Sequence, residues 1–299
     1  MVGERQRHRG ARTVRALAAA LTALGCGGAL PSSAAPARVS TPRPAAQPEV
    51  TAQPPPADRS LASYERACEL GFAASCNQLG LKYLEAQGVE MDLPRAAAFL
   101  RTSCEAKLVV GCFNYGYVLQ EGLGVEADPA EARRLYDFAC QSQLMEACNA
   151  LGVLLNDVIV PPESARALEL FESACEAGVL VACASAGAIY RSGAAGAIDQ
   201  ARALQRFRSS CEKDLGVGCM NLAHMLLTGE GITADPDEAL ALYRKGCELD
   251  VKLGCYAYAI ALSGGQGITP DPERAHELLE RSCDAGQVEA CTELHEDDD

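Results

Sequence analysis

Ala132-Arg133-Arg134-Leu135-Tyr136-Asp137-Phe138-Ala139-Cys140-Gln141-Ser142-Gln143-Leu144-Met145-Glu146-Ala147-Cys148-Asn149-Ala150-Leu151-Gly152 decides the fold. Two cysteines stand in it with seven residues between them, and the same Cys-x7-Cys pair occurs seven times in the chain. The pairs are Cys68 and Cys76, Cys104 and Cys112, Cys140 and Cys148, Cys175 and Cys183, Cys211 and Cys219, Cys247 and Cys255, and Cys283 and Cys291. Successive pairs begin 36 residues apart, with one step of 35. A fixed period of this length marks a repeat architecture, in which each unit is one supersecondary element that buries its apolar face only against its neighbours.

Around the cysteines the apolar residues recur at helical spacing. Eight positions before the first cysteine stand Ser60, Ala96, Ala132, Ala167, Ala203, Ala239 and Ala275, and four before it Tyr64, Leu100, Tyr136, Phe171, Phe207, Tyr243 and Leu279. One before it stand Ala67, Ser103, Ala139, Ala174, Ser210, Gly246 and Ser282, so small, large and small residues follow one face of a helix, helix A. Its start is written in Asp128-Pro129, Asp235-Pro236 and Asp271-Pro272, where Asp caps free N–H groups and Pro suits the first helical position. Helix B follows the second cysteine, with Leu79, Tyr115, Leu151, Ala186, Leu222, Tyr258 and Leu294 three positions on. Gly80, Gly116, Gly152, Gly187, Ala223 and Ala259 come four positions on, and Tyr83, Leu119, Leu155, Tyr190, Leu226 and Leu262 seven on. Gly inside a helix costs about 1 kcal/mol, so its recurrence predicts close helix approach. The runs Glu121-Gly122-Leu123-Gly124, Gly229-Glu230-Gly231 and Gly265-Gln266-Gly267 read as turns between repeats; no Lys-Ser/Thr follows them, as a phosphate loop would need.

The spacing within each pair also predicts its chemistry. On one unbroken helix, residues i and i+8 lie about 12 Å apart along the axis, whereas a disulfide needs Cα atoms within about 7 Å. The chain therefore breaks between the cysteines, where the third residue after the first is Gly71, Lys107, Gln143, Gly178, Asp214, Asp250 or Gly286. Several of these suit the left-handed end of a helix. Each pair is predicted to clip helix A to helix B of its own repeat. Zinc sites prefer shorter Cys spacings or mixed Cys/His sets, and only His224, His276 and His295 lie among the repeats, so no metal, cofactor or catalytic site is assigned. The expected fold is all-α, a solenoid of seven disulfide-clipped hairpins, with repeats over approximately 59–91, 92–127, 128–161, 162–198, 199–234, 235–270 and 271–299.

Residues 1–58 are different material. Arg5, Arg7, Arg9, Arg12 and Arg15 precede an apolar stretch from Val14 to Leu24 that is too short to span a bilayer, which reads as a signal peptide over 1–25. Cys26 in Thr22-Ala23-Leu24-Gly25-Cys26-Gly27 resembles a bacterial lipobox, although Ala23 stands where Leu is usual, and it is the expected lipidation site. Cleavage among Ser33, Ala34 and Ala37 is the alternative; either route exports the chain. Residues 26–58, rich in Pro and Ala, read as an extended tether.

Residues 1–58 hold seven of the 26 basic and three of the 40 acidic residues, which leaves the repeats with 19 basic and 37 acidic residues and a net charge of −18. Such a surface argues against nucleic acid and, beyond its solvating role, suits a basic partner. Seven equivalent cysteine pairs in an exported chain point to oxidised structural bridges rather than reactive thiols.

Cys140-Gln-Ser-Gln-Leu-Met-Glu-Ala-Cys148-Asn-Ala-Leu-Gly and Cys175-Glu-Ala-Gly-Val-Leu-Val-Ala-Cys183 resemble the Sel1-like repeat, a relative of the tetratricopeptide repeat, in the form carried by the Helicobacter cysteine-rich proteins. The resemblance covers residues 59–297 and implies an α-solenoid with a concave face. In the third repeat Asn156-Asp157-Val158-Ile159-Val160-Pro161-Pro162 replaces the Gly-rich turn and accounts for the short step. Some members of that family are described as penicillin-binding or weakly β-lactamase-like. Ser210-Cys211-Glu212-Lys213 is formally Ser-x-x-Lys, but Ser210 stands in the packing column and neither Ser-Asp-Asn nor Lys-Thr-Gly occurs. The expected function is protein or peptide binding by a monomer that reaches a membrane only through its N-terminal lipid, with the penicillin-binding or weakly β-lactamase-like activity that the resemblance implies as the alternative. Asn77, Asn114, Asn149 and Asn221 are candidates for the binding face and equally for inter-repeat hydrogen bonding. His295 in the small-residue column and Glu296-Asp297-Asp298-Asp299 suggest a polar cap on the last hairpin.

Overall fold

Each helix A ends just past a cysteine because the next residues turn the backbone into the left-handed region. The computed structural model describes residues 60–264 and 267–297. The segments read from the sequence as a signal peptide and a tether, with Cys26 between them, lie outside the described residues. Among the described residues fourteen α-helices alternate as A and B: α1 (Leu61–Glu69), α2 (Ala73–Leu84), α3 (Leu93–Glu105), α4 (Val109–Glu121), α5 (Pro129–Gln141), α6 (Met145–Val153), α7 (Ser164–Glu176), α8 (Leu180–Ser192), α9 (Gln200–Glu212), α10 (Gly216–Thr228), α11 (Pro236–Leu249), α12 (Val251–Leu262), α13 (Pro272–Asp284) and α14 (Val288–Asp297). They group into two units, residues 60–162 and 163–297, and in each unit successive helices pack on one another as an α-solenoid. The boundary follows the third repeat, where α6 continues as a π-helical turn, Leu154–Val158, in place of the glycine-rich turn.

The break between A and B is a Schellman-type ending. Lys107 has φ 62° and donates its N–H to Cys104 O at 2.8 Å, while Leu108 N–H reaches Ser103 O at 3.2 Å. Gly71, Gln143, Gly178, Asp214 and Gly286 also have positive φ. Asp250 differs: its φ is −136°, α11 runs one residue further, and the Asp250 carboxylate accepts from Leu253 N, so one residue ends α11 and caps α12. A non-glycine residue held left-handed costs about 1 kcal/mol. Lys107→Gly is expected to raise stability and Gly178→Ala to lower it, each by about 1 kcal/mol, in urea titrations. A Cβ at Gly178 meets nothing within 4 Å, so the second change reads backbone strain alone.

The caps carry the chain from one hairpin to the next. Asp92, Asp128, Asp199, Asp235 and Asp271 each accept the N–H three residues on and donate their own N–H to the preceding helix B, at Tyr83, Leu119, Tyr190, Leu226 and Leu262 O. Gly124, at φ +74°, lies against the Leu93 backbone, so this turn rests on the start of the earlier helix A.

The core includes a series of contacts in which a large side chain fills the space left by a glycine. Leu100, Tyr136 and Phe207 are fully buried, and a Cβ at Gly80, Gly116 or Gly187 would approach them to 2.5, 2.8 and 2.7 Å. The recurrent glycine is thus the space into which the next repeat's large residue fits. Gly187→Ala is expected to destabilise by about 1–3 kcal/mol despite better helix propensity, because Phe207 has no free space to move into; an unchanged melting temperature would contradict this packing account.

Candidate binding surface

The seven disulfides close at the hairpin bends. Their Cα–Cα distances run from 4.2 Å at Cys247–Cys255 to 4.8 Å at Cys283–Cys291, with Cys68–Cys76, Cys104–Cys112, Cys140–Cys148, Cys175–Cys183 and Cys211–Cys219 between. Among the described residues no group of three or more His, Cys, Asp or Glu is placed to hold a metal ion. Bridges in such number indicate an oxidising, extracytoplasmic environment. No helix among the described residues is long and apolar enough to cross a membrane.

Ser210 is fully buried, its hydroxyl donates to the Arg206 and Phe207 carbonyls, and Gly218 lies against it. Lys213 is exposed beyond the end of α9, so Ser-x-x-Lys here is a packing serine followed by a surface lysine. Ser103 plays a related part, donating to Ala73 O of the preceding helix B at 2.9 Å.

The asparagines divide between packing roles. Asn77 and Asn114 are buried, and Asn114 Nδ2 donates to Asn77 Oδ1 at 2.8 Å across adjacent hairpins. Asn221, also buried, donates to Val217 O within its own helix, and Asn149 Oδ1 is buried. Burial withdraws Asn77, Asn114 and Asn221 from a binding face and favours the inter-repeat reading for the first two.

Arginine and tyrosine meet elsewhere, at two places of unequal exposure: the Tyr83 ring is buried at 5% exposure, whereas Tyr190 is half-buried. Arg95 lies over the Tyr83 ring at 5.5 Å, donates from Nη1 to Tyr83 Oη at 3.3 Å and approaches Asp92 from Nε at 3.7 Å. Arg202 repeats this over Tyr190 at 5.4 Å, with Nη1 3.3 Å from Tyr190 Oη and Nε 3.3 Å from Asp199. Beside these sites Met91 and Ile198 are 59% and 63% exposed. Tyrosine, arginine and an exposed apolar residue form the composition of interface anchors. The modules come from two local rules: the last large column of helix B is Tyr, and the third residue after the Asp cap is Arg. Both were present in the sequence, but only their meeting in space distinguishes them from packing and capping residues. Tyr136 and Tyr243 are fully buried, which raises both hydroxyls well above the usual tyrosine range and confines them to packing.

A stack of helical hairpins that presents such anchors on a stapled frame is a repeat-type binding scaffold. The Sel1 repeat model matches residues 73–108, 109–143, 146–179, 216–251 and 252–287, more than half of the chain, which therefore belongs to the Sel1 repeat family. The first match begins on helix B and runs through the next helix A, whereas the disulfides join A to its own B. A Sel1 repeat protein from Oxalobacter formigenes is similar in structure at 24% identity, over 74% of this chain and 94% of that one, with a TM-score of 0.64. The protective antigen c5321 of uropathogenic Escherichia coli, which displays an SLR fold, is similar at 23% identity with a TM-score of 0.62, over 78% of this chain and 50% of its own length. At these identities the likeness concerns the fold. No curated protein matches the chain significantly in sequence.

Proposed function

We propose that this protein is an exported, lipid-anchored scaffold that binds a protein or peptide in the bacterial envelope. The observation that carries the reading is the Tyr190–Arg202 surface beside the exposed Ile198, joined by the exposed Arg95 guanidinium, which lies over the buried Tyr83 ring near Met91. Anchors of this kind concentrate binding energy when a partner excludes water from them. The basic leader, the short apolar stretch and Cys26 support export and anchoring over a leader of 1–25 and a tether of 26–58, with the repeats from 59 onward as the binding part. The net charge of −18 over the repeats favours partners with basic segments.

Crosslinking in intact cells followed by mass spectrometry is expected to recover a defined partner with the wild-type chain and to lose it with the Arg95→Ala, Tyr190→Ala double variant. Recovery unaffected by both changes would remove these surfaces from the function. The mature N-terminus should carry lipid on Cys26; an unmodified N-terminus near Ala37 would replace the anchor with ordinary cleavage.

A further inference from the structure

The two Tyr–Arg modules are copies shifted by three repeats, and they differ at one informative point. In the first, Tyr83 Oη accepts from Arg95 and donates its own proton to Glu65 Oε1 at 3.4 Å. Glu65 stands three residues before its repeat's first cysteine, and Glu172 occupies the same place in the fourth repeat. There Arg206 takes both oxygens of that carboxylate, through Nε at 3.0 Å and through Nη2. Arg206 stands where the first module has Phe99, which stacks on Tyr83 at 5.9 Å. One exchange, Phe99 for Arg206, has therefore drawn the internal carboxylate away from the second tyrosine. Tyr190 Oη accepts from Arg202, and its proton has no acceptor among the described residues.

Tyr190, Arg202 and Asp199 share the wall of a recess of about 240 Å³ with the apolar Leu168, Ile189 and Ile198. That is several times the roughly 30 Å³ that a water molecule occupies in the liquid, enough for an apolar side chain. The Arg202 side chain is 64% exposed at its rim. Resting on the binding reading above, we infer that Tyr190 and Arg202 receive the free C-terminal carboxylate of a peptide or protein whose last residue is apolar. The carboxylate takes the position relative to Tyr190 that Glu65 takes at Tyr83. It accepts the tyrosine proton and lies near the guanidinium, while the terminal side chain enters the recess. A C-terminal apolar residue is the group that carries a carboxylate and an apolar side chain on one carbon. Asp199, beside Arg202, disfavours further negative charge, so the residues preceding the terminus are neutral or basic.

The test is fluorescence anisotropy with the full-length mature protein and labelled Lys-Ser-Lys-Ala-Leu-Leu, as the free acid and as the C-terminal amide. The acid is expected to bind at least about tenfold more tightly, the factor set by one hydrogen bond to a charged group. Tyr190→Phe, which keeps the ring, should remove that difference. Arg206→Gln lies outside the recess and should also weaken the acid, because it frees Glu172 to accept from Tyr190. Equal binding of acid and amide, or a Tyr190→Phe variant that still discriminates, overturns the inference. So does competition by N-acetyl-leucine at the peptide's own concentration, which would make the ligand a small carboxylate. A crosslinked partner that survives Tyr190→Phe would end this inference and leave the scaffold reading standing; loss of every crosslinked partner from wild type, with acid-selective peptide binding intact, would do the reverse.

Discussion

Protein whose disulfides have been reduced is expected to lose most of its helical circular dichroism at about 37 °C, while the oxidised protein retains it. Each bridge closes a loop of only about nine residues, which in the chain-entropy model stabilises by about 2.6 kcal/mol. That is modest singly, but seven such contributions exceed the roughly 5–15 kcal/mol by which ordinary domains are stable. The reason the array leans on them lies in its packing. The face of helix A alternates Ala or Ser with one large residue, so a hairpin buries little apolar area of its own. Replacing one interior pair, Cys211→Ala with Cys219→Ala, should cost about 2–3 kcal/mol in urea titrations. Before reduction, intact-mass measurement should find the chain two hydrogens lighter per bridge. Full ellipticity and an unchanged melting temperature after reduction would show that the helices stand without their clips.

Acid is expected to weaken the protein through His224. The imidazole sits on α10 with its side chain 14% exposed, and its Nδ1 is buried with no hydrogen-bond partner among the described residues. Burial, helped by the nearby Arg191 charge, lowers its pKa to about 4 from an ordinary value near 6.5. At neutral pH the ring is therefore uncharged, and its 3.7 Å approach to Glu230 is not an ion pair. In the unfolded chain His224 takes a proton as pH falls through about 6.5, whereas the folded chain resists until about 4. Its contribution to stability is complete above the unfolded pKa and is lost across that interval, by about 3 kcal/mol in total. Urea midpoints of wild type and His224→Leu should thus diverge between about pH 7 and pH 4.5, with wild type losing more. The variant controls for the many carboxylates, and a difference independent of pH would mean that His224 is not held neutral.

Much of the fold was legible because a repeat writes its local rules several times. Tyr136 over Gly116 and Phe207 over Gly187 are the large residue and the small residue of neighbouring units, and the columns place both. The same holds for Cys140 with Cys148, whose separation cannot be bridged along a continuous helix. Asp199 caps a helix with no Pro at its start, and behind Asp92 the Pro comes one position later, as Pro94, so a search for Asp-Pro passes over both. The candidate site was less legible. Asn77 and Asn114 look like exposed polar residues in one dimension, and only the fitting of adjacent hairpins turns them into a buried pair.

The sequence by itself determined what depends on a few consecutive residues: the helical hairpin, its bend, its disulfide and most of its caps. These follow from backbone geometry and from distances no longer than one helical turn or bend. The tertiary structure alone decided which side chains meet between repeats. It separated Glu65, bonded to Tyr83, from Glu172, held by Arg206, although both occupy the same column. It also ended the first unit at Pro162, where the third repeat lacks the shared turn. A repeat period specifies the position of each residue within its unit, whereas a hydrogen bond between units depends on which of several side chains within reach wins the competition.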